Sequence, residues 1–376
     1  MNFRPIQKNR NLIVKNQQST CCNQNLNSAP WISGFINSKY GMIPVVKTDL
    51  DREDYKGHIR SRISSYRDNF TINPGLYAVG NPDSSSHIFV TANYKMSFDL
   101  LRKSLKKING WILVLNTGGI NVWCAAGKGT FSTEELIKQI KSTHLKDIAP
   151  SGKIILPQLG APGINIVAAR KATGFNILYG PVKAQDIPEF LQCNYKANSS
   201  MRRVTFSIKE RAILIPIELF MIKKKFLAIA LIILIYGGLT LEGIIFNKIP
   251  ETSLPLLIAL VISIISGAII TPLLLPYIPF RSFALKGAIS GLSLLYLADY
   301  IFGIFTKTNP FLKIAIIILG TLFSSYTALQ FTGSTPFTSL SGVKKEIRFT
   351  LPIYISAIVI SIVLLIINKA IQWSLI

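Results

Sequence analysis

After Lys225 the chain carries five apolar runs, at roughly 226–246, 253–275, 284–304, 311–331 and 350–368. A helix rises roughly 1.5 Å per residue and the hydrocarbon layer is about 30 Å thick, so about 20 apolar residues cross it and each run is long enough. Charge is scarce in this half: residues 226–376 hold 9 basic and 4 acidic residues, against 32 and 14 in residues 1–225, together giving the net charge of +23. Hydrophobic residues make up 49% of the chain and charged residues only 16%, which excludes one ordinary soluble domain. The expected organisation is a polar amino-terminal extension over 1–40, a charge-bearing domain over 41–222, and an all-α transmembrane domain of about five helices over 223–376.

The flanks of the runs orient them in the bilayer. Lys223 to Lys225, Arg281, Lys286, Lys344, Lys345 and Arg348 fall on one side, and Lys248, Lys307, Lys313 and Lys369 on the other. The basic excess places the amino-terminal domain in the cytoplasm and the carboxyl terminus outside, as expected of a multi-pass protein of the cytoplasmic membrane. Lys and Arg are otherwise scattered, so no nucleic-acid surface is expected. The first 40 residues lack an apolar core of signal-peptide length. Asp299 and Glu242 are acids close enough to the runs to serve as ion contacts, with hydration at the interface as the plain alternative. The hydroxyl-rich stretch from Phe331 to Glu346 reads as a flexible connector.

Between residues 75 and 192 short β-type runs alternate with helical patterns. Strands are expected at Leu76–Val79, His87–Ala92, Trp111–Asn116, Ile154–Leu156 and Ile177–Tyr179, with helices at Ser97–Leu105, Thr133–Ser142, Ile164–Ala172 and from Ile187. Such alternation predicts an α/β, Rossmann-like fold with a parallel sheet, whose ligands lie in the turns at the carboxyl ends of strands. The turn after Trp111–Asn116 reads Thr117-Gly-Gly-Ile-Asn-Val-Trp-Cys-Ala-Ala-Gly-Lys-Gly-Thr130. It fails as a phosphate loop, because Val122 stands where glycine is required and Gly129 where Ser or Thr is required. Cys124 is expected on a short helix between glycines, flanked by Trp123 and by Ala125 and Ala126, small enough for a flat ligand to approach. Ser132 and Glu135 form the capping pattern of the next helix.

A thiol near a helix amino terminus, with Lys128 one turn on, has the setting of a nucleophile or a metal ligand; the plain alternative is a small buried hydrophobe. The turn holds no His or Asp to build a Cys–His nucleophile, which favours metal ligation. The remaining cysteines (Cys21, Cys22, Cys193) and the histidines (His58, His87, His144) show no zinc spacing. Cys21-Cys22 can be read as a capture pair for a soft cation or as incidental.

Asn121-Val-Trp-Cys-Ala-Ala-Gly-Lys128 resembles the cap-helix signature of the HgcA family, the membrane-bound corrinoid proteins of mercury methylation. The similarity extends through Pro74–Pro82, Thr91–Asp99, Leu156–Gly163, Tyr179–Val182 and Phe331–Glu346, and so covers roughly residues 40 to 350. The cytoplasmic part is also similar to the corrinoid domain of the corrinoid iron–sulfur protein of acetyl-CoA synthesis, a relative without such a membrane half. The chain departs from the pattern after Gly163, where relatives often carry a histidine and this chain has Ile166-Val167.

The resemblance implies a Rossmann-like corrinoid-binding domain with a cobalamin-type cofactor and Cys124 as the lower axial cobalt ligand. It implies that Asn121, Val122, Trp123, Ala125, Ala126, Gly127 and Lys128 shape the lower face, while Thr91 and Ser97 hold the corrin or its tail. The activity implied is methyl transfer from a methyl-Co(III) corrinoid to Hg(II), with thiolate donation making the methyl more carbanion-like. It also implies a ferredoxin-type iron–sulfur partner, HgcB, as electron donor, since the chain has no cluster-binding cysteines, and methyltetrahydrofolate as methyl donor. Two other readings stay open: a membrane-tethered corrinoid methyl carrier of one-carbon metabolism, and a non-enzymatic membrane sensor of metal or redox state using Cys124.

Overall fold

The structure, a computed structural model, describes residues 29–244, 249–335, 338 and 340–375. Cys21 and Cys22 lie outside the described residues. The chain divides into two compact units, the first from residues 29–55 and 70–202, the second from 56–69 and 203–375.

The first unit is built on seven strands: β1 (Ile32–Ser38), β2 (Gly41–Val46), β3 (Gly75–Val79), β4 (His87–Ala92), β5 (Gly110–Leu115), β6 (Ile154–Leu156) and β7 (Ile177–Tyr179). Their order across the sheet is β1-β2-β3-β5-β4-β6-β7. The run β5-β4-β6-β7 is parallel, as the alternation predicts, but β3 lies antiparallel to β5 and β1 antiparallel to β2. The sheet is therefore mixed rather than wholly parallel. The link from β3 to β4, residues 80–86, is too short for the crossover of a dozen or so residues that two parallel strands of one sheet require, so β3 runs opposite to β4 and to β5 between them. The sheet also begins before residue 41, because β1 pairs with β2 through a tight turn at Lys39 and Tyr40.

Side chains alternate along the central strands and so divide the core in two. Trp111, Leu113 and Leu115 of β5 pack on one face with helices α3 (Val122–Lys128), α4 (Thr133–Ser142) and α6 (Ile166–Thr173). Ile112 and Val114 pack on the other with Phe98, Leu101 and Leu105, from and just after α2 (Lys95–Ser104), and with Phe190 of α7 (Ile187–Gln192).

Helix α1 (Arg52–Ile63) begins in the first unit and brings Asp54 to α2, where four charges are buried together. Lys95 Nζ donates to Asp54 at 2.8 Å and to Asp99; Arg102 donates to Asp54 at 2.5 Å, to Asp99 at 2.8 Å and to the Lys47 carbonyl at 2.6 Å. Two cations face two carboxylates, the balance that makes burial of ions tolerable.

In the second unit, α8 (Ile208–Ala212) precedes α9 (Ile215–Gly238). Residues 203–222, expected with the α/β domain, fold here instead. Arg211 is buried and donates to the Phe206 and Leu273 carbonyls at 3.1 and 3.0 Å, and α9 runs without a break through Lys223–Lys225. Four helices among the described residues are long and apolar enough to cross a membrane: Thr252–Leu273, Phe283–Phe302, Pro310–Gly333 and Ser341–Gln372. The first expected run differs. Its helix ends at Gly238, and Leu239–Thr240 then pairs with Gly243–Ile244 in a small hairpin. Much of the connector expected at 331–346 is helical, with a 3₁₀ turn at Phe331–Ser334 and a helix from Leu340. Asp299 is taken up by Lys313 at 2.7 Å and by the Phe305 amide at 2.8 Å, and Glu242 is exposed in the hairpin turn.

Burial alone would raise the Asp54 carboxyl, but hydrogen bonds from Lys95 and Arg102 outweigh it and hold the group at about 2. A free carboxylate titrates near ~3.9, so the stability this shift represents, on the order of 2 kcal/mol, is present above about pH 4 and is lost as pH falls towards 2. Asp54→Asn is expected to lower the near-ultraviolet thermal midpoint at neutral pH and to flatten its decline on acidification. Equal acid slopes for the variant and native proteins would contradict this account.

Candidate functional site

The chain leaves β4 towards α2 on one face of the sheet and leaves β5 towards α3 and α4 on the other. The carboxyl ends of these neighbouring parallel strands therefore open a crevice, the place where sheets of this kind bind ligands. Cys124 stands there.

Helix α3 is two turns long because its ends are closed locally. Asn121 Oδ1 accepts from the Cys124 amide at 2.9 Å, and Gly129, at φ 77°, ends the helix in the left-handed conformation that glycine adopts without strain. Val122, Ala125 and Ala126 face the core. Trp123 is 37% exposed, Cys124 is partly exposed, and Gly127 and Lys128 are exposed. Cys124 and Lys128, and likewise Trp123 and Gly127, are four residues apart and share the outer face.

Ala125 and Ala126, expected beside a ligand, are buried on the underside of α3, where their small size lets the helix settle on the sheet. Val122 is likewise turned inward. The loop after β6 closes on the same helix. A Cβ on Gly163 would lie 2.0 Å from the Phe131 carbonyl and 3.1 Å from Ala126 Cα, and one on Gly160 would meet the Phe131 ring at 2.4 Å. Phe131 is itself wholly buried. Gly163, read in the sequence only as part of a motif, is thus the residue that permits this approach.

The segment between β5 and α3 is held by side chains. The Asn116 amide donates to Glu135 Oε1 at 2.9 Å, the Thr117 amide to Asn93 Oδ1 at 3.0 Å, the Gly118 amide to Asn116 Oδ1 at 3.2 Å, and the Gly119 amide to Asn93 Oδ1 at 2.9 Å. Ser132 caps α4 by accepting from the Glu135 amide at 3.3 Å, as its spacing predicts, while the Glu135 carboxylate turns to Asn116. Gly118 and Gly119 take φ values of 67° and 75°, and a Cβ on Gly118 would meet nothing within 4 Å. The backbone at Gly118 is therefore open to an approaching ligand.

Thr91 and Ser97 lie at the same end of the sheet but on other elements. Thr91, last but one in β4, is buried and alternates with Val90 and Ala92, which places its side chain on the α2 face. Ser97, in the first turn of α2, is the one residue of 91–99 that is not buried. Val167, in the departure from the family pattern, is 75% exposed on the first turn of α6. Among the described residues no three His, Cys, Asp or Glu side chains cluster as a metal site. The outer face of α3 suits a flat group: it offers one sulfur, one indole, one glycine and one cation, with the bulk of the helix turned inward.

Residues 18–191 match the family described as CO dehydrogenase/acetyl-CoA synthase delta subunit. The chain is 30% identical over 123 residues to the acetyl-CoA decarbonylase/synthase complex subunit gamma of Methanopyrus kandleri, covering 32% of this chain and 26% of that protein. The gamma subunit of Archaeoglobus fulgidus is 27% identical over 169 residues, 44% of this chain and 35% of that protein. The corrinoid/iron-sulfur protein large subunit of Moorella thermoacetica is 25% identical over 167 residues, 42% of this chain and 36% of that protein. The chain thus spans about a quarter to a third of the length of these relatives. The matched stretch ends before the helical unit resumes at residue 203.

Loss of the cap in Asn121→Ala is expected to cost about 1 kcal/mol locally, raising hydrogen exchange of the Cys124 amide about fivefold while β4 and β5 stay protected. Gly163→Ala forces the loop after β6 away from α3 and is expected to lower the stability of the first unit by about 1–3 kcal/mol. Exchange of α3 unchanged in both variants would show that neither contact holds the helix.

Proposed function

We propose that the chain is a membrane-anchored corrinoid protein that carries and transfers a methyl group, with Cys124 as the lower axial ligand of cobalt. The observation that carries this reading is the partly exposed Cys124 thiol, presented on a short capped helix at the mouth of the β4–β5 crevice. The relatives support it, since one of them is named a corrinoid/iron-sulfur protein. The corrinoid would supply a cobalt-bound methyl group for transfer.

The protein's own part is positional. Asn121 and Gly129 fix the ends of the ligand helix, and Trp123, Gly127 and Lys128 border the sulfur on its exposed face. Ser97 is accessible at the same end of the sheet and suits the cofactor's polar periphery or tail, whereas buried Thr91 supports the strand beneath. The sheet around this site, with its parallel run β5-β4-β6-β7, serves as a Rossmann-like corrinoid domain in this reading.

The methyl acceptor we infer is Hg(II), giving methylmercury. That choice rests on the resemblance of Asn121–Lys128 to the HgcA cap helix and on the four long apolar helices that accompany the α/β unit. Thiolate donation to cobalt suits an electrophilic, soft acceptor. Methyltetrahydrofolate would supply the methyl group. Electrons would come from a ferredoxin-type iron–sulfur protein such as HgcB, because the four cysteines of this chain include no cluster motif. By the basic flanks of its apolar runs, the α/β unit faces the cytoplasm. The second reading, a carrier serving acetyl-CoA-type one-carbon metabolism, is favoured by the names of the relatives.

Purified native protein is expected to show the visible bands of bound corrinoid, and Cys124→Ala to lose the thiolate-ligated spectrum together with at least tenfold of methyl transfer to Hg(II), about 1.4 kcal/mol in barrier. Native transfer rates in the alanine protein would overturn the axial-ligand role. A colourless native protein after reconstitution would favour the sensor reading. Deleting the gene separates the two acceptors: loss of methylmercury formation supports the first, and loss of autotrophic growth alone the second.

A further inference from the structure

Asn93 follows β4 directly and is 7% exposed. Its backbone amide donates to the Leu115 carbonyl at 3.0 Å, and its carbonyl accepts from the Ile72 amide at 3.0 Å. Its side-chain oxygen accepts from the Thr117 amide at 3.0 Å, the Gly119 amide at 2.9 Å and the Thr117 hydroxyl at 2.9 Å. That hydroxyl proton is shared, because Thr117 Oγ1 also lies 2.7 Å from the Ile120 carbonyl. One short side chain thus binds the end of β4 to both ends of the Thr117–Gly119 turn, two residues before the cap of α3. Among the described residues these two amides have no other acceptor, and Gly118 and Gly119 make the turn's backbone freer than residues with a Cβ would.

We propose that Asn93 is the positioning residue of the Cys124 helix: by accepting from the Thr117–Gly119 turn it sets the height and direction at which α3 presents its thiol across the β4–β5 crevice. Its side-chain oxygen bonds to the turn and not to the thiol, so it acts on Cys124 through the turn. The cobalt-ligand consequence rests on the function proposed above, whereas the geometric role does not. Asparagine suits the position because a single carbonyl oxygen accepts all three donors without bringing a charge into a buried crevice. An aspartate there keeps the acceptors, an alanine removes them, and Thr117→Val removes only the hydroxyl donor.

The test uses the full chain in detergent, first without corrinoid. Hydrogen exchange is followed in peptides covering residues 117–128 and, as control, β4, β5 and α4; alkylation of Cys124 by iodoacetamide is followed site by site by mass spectrometry. Asn93→Ala is expected to raise exchange in 117–128 at least tenfold and to change the Cys124 alkylation rate several-fold, with the control peptides unchanged. Asn93→Asp is expected to restore both to within about twofold of native, and Thr117→Val to give a smaller change confined to the same peptides. If Asn93→Ala fails to fold, the aspartate and valine variants decide between them. Native exchange and alkylation in the alanine variant, or in the valine variant when it alone can be compared, would overturn the proposal. A rise spread equally over the control peptides would also overturn it, since that is a general structural role.

With cobalamin bound at matched occupancy, Asn93→Ala is further expected to lose at least half of the thiolate-ligated spectrum, and Asn93→Asp to keep it. A native protein that binds no corrinoid would sink the proposed function while leaving the exchange and alkylation results to judge Asn93.

Discussion

When β5 ends at Leu115, four successive amides, from Asn116 to Gly119, have left the sheet and have not yet entered a helix. Thr117 is buried and Gly119 partly so, and buried amides without partners are costly, so this segment requires acceptors. Side chains supply all four: Glu135 from α4, Asn116 from within the turn, and Asn93, twice, from the neighbouring strand end. Everything beyond inherits its position from this arrangement. Asn121 can cap α3 only where the turn delivers it, and the Cys124 sulfur lies where the capped helix points. The site is thus specified by polar contacts between elements that are distant in sequence, laid over a sheet that ordinary apolar alternation provides.

That division explains what the sequence discloses. Strands His87–Ala92, Ile154–Leu156 and Ile177–Tyr179 and helix Thr133–Ser142 stand where their apolar runs and the Ser132 cap place them, because each is decided by neighbours a few residues away. The α3 motif is legible for the same reason, since its cap, its alanines and its terminal glycine lie within nine residues. Asn93 is not legible as a site residue. Its partners are 24 and 26 residues away, and nothing local separates it from Thr91 or Ser97 in the same stretch. The buried charges of α2 are hidden likewise: Asp54 meets Lys95 and Arg102 across 41 and 48 residues, and only the fold turns four ordinary charged residues into a neutral cluster.

The sheet edge and the unit boundary show the other limit. β1 contains Gly34, Asn37 and two serines, so by composition it belongs with the polar extension before it. It becomes a strand because β2, four of whose six residues are Met, Ile or Val, offers it a partner across a tight turn. The segment 203–222 is misplaced by composition for the converse reason. Its Arg and Lys residues resemble those of the α/β unit, yet buried Arg211 is used to satisfy carbonyls at the end of a helix in the second unit. Charge content separates the long apolar runs from the rest, but it does not reveal which charges a helical unit keeps for its own helix ends.

A metal-bound group makes a stricter demand on a protein than an organic ligand does, because a metal–sulfur bond tolerates only a few tenths of an ångström of variation. In the function proposed for Cys124, two independent constraints at α3 would answer that demand. From beneath, Ala125 and Ala126 sit on the sheet, Phe131 is wedged under the helix, and Gly160 and Gly163 let the loop after β6 close without a Cβ to hold it off. From the side, Asn93 and Asn121 fix the turn and the first amides of the helix. With the backbone held from both directions, the freedom left to Cys124 is rotation about its own χ1, which has three staggered positions. A sulfur restricted in that way would meet the metal proposed for it with little reorganisation, and the absent side chain of Gly127 leaves the helix face beside it uncrowded.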